Sequence, residues 1–151
     1  MRRATSARIV GFVLFALGAA PAIATPQTPS LNADEFAAKV QPIFTAKRDG
    51  LMTCATCHTG KVGTAFRLQP LAEGAITWSV DDTRKNFEMA QRLVKAGRPL
   101  ESRLLTLPLD RTAGGDSFHG GGKHWLSQAD PEWQALAAWV RGSATFPTAP
   151  P

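Results

Sequence analysis

Residues 51–60 read Leu-Met-Thr-Cys-Ala-Thr-Cys-His-Thr-Gly, and the run Cys54-Ala55-Thr56-Cys57-His58 within them decides how the chain is read. Its two cysteines are the only ones in the sequence. Cysteines at i and i+3 share one face of a helical turn, so both thiols can add to the two vinyl groups along one haem edge. The next residue, His58, then points its imidazole at the iron. The C-x-x-C-H spacing is a specific signal for covalent c-type haem. Two other readings use fewer of these residues. A redox-active disulfide belongs with a strand–helix thioredoxin pattern, which does not surround Cys54. A zinc site built on Cys54, Cys57 and His58 has crowded neighbouring ligands and no second cysteine pair.

The amino terminus fits that reading. Arg2, Arg3 and Arg8 precede an apolar run of 12 residues from Ile9 to Ala20, and Ala22-Ile23-Ala24 places small residues at a cleavage site. This is the layout of a secretory signal. The run falls short of the roughly 20 residues that span a bilayer. A twin-arginine signal and a retained anchor are the alternatives, and no Cys near the cut suggests a lipoprotein. The expected organisation is a signal over 1–24, a linker over 25–32, one domain over 33–142 and a Pro-rich tail over 143–151. The expected location is the periplasm, where c-type haem is attached. The whole chain carries +5. Three of its 17 basic residues lie in the signal, leaving 14 against 12 acidic ones. The mature protein is thus close to neutral once two propionates are counted, which excludes a nucleic-acid-binding class on charge grounds.

Four helices are expected. Over 33–46, Phe36, Val40, Ile43 and Phe44 form one apolar face; Asn32 is the cap and Pro42 bends or splits the helix. The second covers 83–96 and ends at Gly97. A short third covers 101–107 and is stopped by Pro108. In the last, Asp130 caps, Pro131 takes the first position, and Trp133, Leu136, Ala137 and Val140 form the buried stripe before Gly142. No long alternating run predicts a sheet. The fold class is therefore all-α, with the first and last helices packed together and a haem held in the loops between.

The segments FAAKVQPIF (36–44), CATCH, SRLLTLPL (102–109) and DPEWQALAAWV (130–140) together resemble the planctomycete-type cytochrome c domain, over nearly all of 33–142. The resemblance implies a class I cytochrome c-like helical fold around one covalent haem, and a role in electron transfer. That family carries a Met-Pro-Pro run before its last helix, whose Met is the distal iron ligand. Here the stretch is His119-Gly120-Gly121-Gly122, so methionine ligation does not carry over.

The sixth ligand decides between a closed iron for electron transfer and an open one for gas or peroxide chemistry. Five side chains are candidates. His119, flanked by glycine, is the expected distal ligand, and His124 the alternative. Met89 lies mid-helix, Met52 is too near Cys54 to reach the opposite face, and Lys123 is expected to be solvated. Trp78, Trp125, Phe66, Leu68, Leu104 and Leu105 are expected as pocket walls, and Trp133 and Trp139 as packing residues. Arg67, Arg84 and Arg103 are candidates to pair with propionates, with solvated arginine as the plainer reading. Two histidines on one iron give a lower potential than His/Met ligation. The function expected is a non-enzymatic electron carrier with unidentified donor and acceptor proteins. The alternatives are a haem-based sensor or peroxidase-like protein, and an exported thiol-redox module.

Overall fold

The computed structural model describes residues 29–60 and 64–142. The signal, the first half of the linker and the Pro-rich tail lie outside the described residues.

Asn32 Oδ1 accepts the Glu35 N–H at 2.8 Å and starts α1 (Ala33–Glu35). The helix expected over 33–46 does not keep its pitch. It widens into a π-helical turn (Phe36–Val40) and then tightens into a 3₁₀ turn (Gln41–Phe44). Pro42 accounts for the change: it has no N–H to donate, and its ring collides with the carbonyl four residues back. The Gln41 N–H instead reaches the Phe36 carbonyl, a five-residue step. The apolar face survives, with Phe36, Val40, Ile43 and Phe44 all buried.

Next comes α2 (Cys54–His58), one turn and a half of helix capped by Thr53, whose Oγ1 accepts the Thr56 N–H at 3.1 Å. Helix α3 (Val80–Gln91) begins and ends earlier than the sequence suggested. Ser79 Oγ accepts the Asp82 N–H, and Asp81 and Asp82 sit where the helix dipole favours negative charge. Beyond Gln91 the chain continues in tighter turns, and Gly97, at φ +80°, redirects it. Asn86 of α3 is wholly buried; its amide donates to Gln41 Oε1 and its Oδ1 accepts the Gln69 N–H at 2.7 Å. This side chain ties α3 to the first helical segment and to the irregular stretch before it.

The expected helix over 101–107 is divided by Ser102 into a 3₁₀ turn (Pro99–Glu101) and α4 (Arg103–Thr106). Buried Ser102 accepts the Lys95 N–H and donates to the Arg98 carbonyl, which stops one helix from running through. A further 3₁₀ turn (Arg111–Ala113) leads into the Gly-rich loop. Finally α5 (Pro131–Arg141) forms as expected. Asp130 Oδ1 accepts the Glu132 and Trp133 N–H groups, Pro131 occupies the first turn and Gly142 ends the helix at φ +74°.

The first and last helical segments pack together. Phe36 meets Trp139 at 5.3 Å between ring centroids and Phe87 of α3 at 5.5 Å, and Trp139 Nε1 donates to the Asn32 carbonyl. Burial of Phe36 contributes about 1.5–3 kcal/mol. Gly142 lies against Ser30, where a Cβ would come within 3.0 Å of the carbonyl oxygen. Among the described residues the only β-type pairings are isolated bridges, Arg48 with Leu51 and Leu109 with Trp125. The fold is all-α. No described helix is long and apolar enough to cross a membrane.

Candidate functional site

Helix α2 presents Cys54, Cys57 and His58 to one cleft. Two lobes make up this cleft, of about 230 and 420 Å³, and Cys54, His58, Thr64 and His119 line both. Together they fall in the size range of cofactor sites, about 300–1,000 Å³. The smaller lobe is walled by Phe44, Phe66, Leu93, Leu104, Leu107, Pro108 and Trp125, with Arg103 beside them. The larger lobe adds Met52, Cys57, Gly120, Gly121 and His124. Cys54, Cys57, His58, His119 and His124, the residues expected at the site, thus line the same cleft.

Not every expected wall does. Leu68, Trp78 and Leu105 belong to the core instead. On α4 the neighbours Leu104 and Leu105 point about 100° apart, so one meets the cleft and the other the interior. Trp78 Nε1 donates to the Gln69 carbonyl, which holds the ring in the 66–78 stretch. Of the three arginines, Arg103 lines the cleft, Arg84 pairs with Glu88 at 2.7 Å on the surface of α3, and Arg67 is exposed. Met89 packs against the core, while Met52, 58% exposed, sits at the rim of the larger lobe. Lys123 is not merely solvated: its ammonium donates to the carbonyls of Leu107 (2.9 Å) and Asp116, stitching the loop to the end of α4.

The two leading imidazoles are mounted alike. His58 Nδ1 lies 3.0 Å from the Phe66 carbonyl and 3.2 Å from Thr64 Oγ1. His119 Nδ1 lies 2.6 Å from the Gly122 carbonyl. A carbonyl only accepts, so each Nδ1 carries a proton and Nε2 is the nitrogen left to coordinate. Neither Nε2 has a hydrogen-bond partner among the described residues. The two rings lie with centroids 6.3 Å apart and planes 17° from parallel. Two imidazoles bound to one first-row metal ion at about 2.0–2.1 Å, with ring centres about 1.1 Å farther out, stand about 6–6.5 Å apart. The His58–His119 pair meets that spacing. Burial holds the His58 pKa below its usual range, against the Phe66 carbonyl that acts to raise it, so the ring is neutral as a metal ligand requires.

His124 is mounted differently. Its Nδ1 lies 3.4 Å from Arg48 Nη1. Guanidinium only donates, so here Nδ1 holds the lone pair and the proton sits on Nε2. Burial, the Arg48 charge and His119 push its pKa down to about 4. Arg48 also bonds the Glu132 carboxylate and the carbonyls of Ile43 and Ala46, and it lies over the Trp125 ring. Nothing in the sequence marked Arg48 or Glu132, whose partners are 84 residues apart.

At the thiols, burial is the largest influence and raises the Cys54 pKa, in spite of nearby Arg48. A protonated thiol is a poor nucleophile for disulfide exchange. Among the described residues, no three His, Cys, Asp or Glu side chains are grouped to hold a metal ion by themselves. The donor set on offer is a pair of opposed imidazoles with two thiols alongside. No protein-family model, curated protein or solved structure matches the chain.

Proposed function

We propose that this protein is an exported, mono-haem c-type cytochrome that carries single electrons, with His58 and His119 as axial ligands. The observation that carries the reading is the imidazole pair: two rings, each donating Nδ1–H to a backbone carbonyl, stand at the separation of opposed ligands on one metal ion. The C-x-x-C-H run supplies the reason for a macrocycle in that space. Cys54 and Cys57 would form the thioether bonds, and the apolar lobe walled by Phe66, Leu104 and Trp125 would cover the ring. Bound haem would supply one-electron Fe(III)/Fe(II) chemistry.

The chain's own part is to orient and to insulate. The Phe66 and Gly122 carbonyls fix both tautomers and raise the basicity of the ligating nitrogens, which favours the ferric state. A low to moderate potential follows. The likeness to planctomycete-type cytochrome c domains supports a class I-like arrangement, and the signal-like amino terminus supports the periplasm, where donor and acceptor proteins would dock. A second reading, with an exchangeable sixth position for sensing or peroxide chemistry, is favoured by one observation, the third imidazole, His124, in the larger lobe.

The test is spectroscopic. The ferric and ferrous protein should both be low-spin, show no methionine–iron charge-transfer band and ignore carbon monoxide. Nearly parallel imidazole planes should give a rhombic ferric electron paramagnetic resonance signal. A high-spin ferric spectrum, or ready carbon monoxide binding, would overturn the carrier reading. Absence of covalent haem would overturn the cytochrome reading as a whole.

A further inference from the structure

The electron-carrier reading gives His124 no task, yet this ring is held with care. Arg48 meets its Nδ1, and Arg48 is itself fixed by Glu132, Ile43, Ala46 and Trp125. The proton is therefore kept on Nε2. That edge of the ring faces the larger lobe, which His124 lines together with His119, Gly120 and Gly121. A Cβ on Gly121 would stand 3.8 Å from His124 Nε2 and 3.3 Å from His119 Cε1, so the glycine keeps the space beside both rings free of side chains. The two rings meet edge to face at 5.7 Å. Among the described residues, the Nε2–H has no acceptor.

A half-enclosed lobe with one aimed N–H donor, an adjacent metal-ligating imidazole and bare glycine walls fits a small hydrogen-bond-accepting anion. We propose that this lobe is a binding site for a small anion, with His124 Nε2–H as its hydrogen-bond donor, filled when His119 withdraws from the coordination position. This rests on the reading of His58 and His119 as axial ligands. His119 is then the gate of the site, and His124 the residue that recognises what enters.

The experiment uses the haem-loaded protein carrying His119→Gly, titrated in the ferric state with azide and with fluoride and followed optically. Replacing the donor in the double variant His119→Gly/His124→Phe should weaken both anions about 10- to 100-fold, the worth of one hydrogen bond to a charged acceptor. His119→Gly/His124→Gln, which keeps an N–H donor of similar reach, should recover part of that loss. Equal affinities in all three proteins would overturn the proposal. So would a His119→Gly protein that stays low-spin until His124 is also removed, because His124 would then be a ligand. A His119→Gly protein that stays low-spin irrespective of His124 would instead refute the axial pairing on which the proposal stands.

Discussion

His58 and His119 both donate Nδ1–H to a backbone carbonyl, but the chain holds them in opposite ways. His58 rides on α2, where the hydrogen bonds are local: Thr53 caps the helix, Thr59 N–H bonds the Ala55 carbonyl, and the Phe66 carbonyl that fixes the ring is eight residues away. His119 sits on a loop without regular helix, and its ring is fixed by the carbonyl of Gly122 three residues on. What secures that loop comes from elsewhere. His124 and Trp125 N–H groups bond the Pro108 carbonyl, Asp110 N–H bonds Trp125, Asp116 N–H bonds Thr106, and Lys123 reaches back to Leu107. One imidazole is thus placed by a short sequence, and the other by tertiary closure. A loop held by a few distributed contacts opens at lower cost than a packed helix, so the His119 side is where the cleft can open.

Four substitutions test that contrast. The double variant Cys54→Ala/Cys57→Ala has the largest expected effect: complete loss of covalently attached haem, read by haem staining after denaturing electrophoresis. Retained haem stain would refute the local construction of the proximal side. Gly115→Ala comes next. A Cβ there would lie 1.9 Å from the Leu109 carbonyl oxygen, so the backbone must move. The expected cost is about 3 kcal/mol in chemical denaturation, with loss of the low-spin ferric spectrum while haem remains attached. An unchanged spectrum would mean that loop closure does not position His119.

Arg48→Met should cost about 2 kcal/mol, because it leaves the Glu132 carboxylate with only the Trp125 N–H and takes the donor from His124 Nδ1. It should perturb the distal side and leave covalent attachment intact. Thr53→Ala should be mildest, about 1 kcal/mol from the lost cap, with the midpoint potential and ferric spectrum unchanged. A spectral change in Thr53→Ala as large as that in Gly115→Ala would erase the distinction between the two mounts.

The sequence made the Cys54–His58 side legible for the same reason that it is locally built. Thiols and imidazole must keep fixed spacing along the chain, so spacing reveals them. The last helix was equally plain, since Asp130, Pro131 and Gly142 mark both ends. The turns of the first helical segment were legible only as a consequence of Pro42, not as a π turn followed by a 3₁₀ turn. Helix α3 starts three residues before its apolar period does, because Ser79 caps it and Asp81 and Asp82 favour its first turn. The Arg48–Glu132–His124 arrangement was not legible at all. Contacts between residues 76 and 84 positions apart leave no local pattern, and a charged side chain reads as solvated until the fold encloses it. His119 stood between these extremes: flanking glycine suggested a loop ligand, but only the fold sets its ring 6.3 Å from His58.

The close approach of Gly142 to Ser30 has a consequence for how this unit can be combined with others. The first and last positions of the described domain are neighbours in space, and the Gly97 N–H bonded to the Val140 carbonyl at 2.7 Å secures that end of α5. A host chain could therefore receive residues 30–142 within a surface loop without parting its own flanks, and a permuted chain joining the two ends would need only a short bridge.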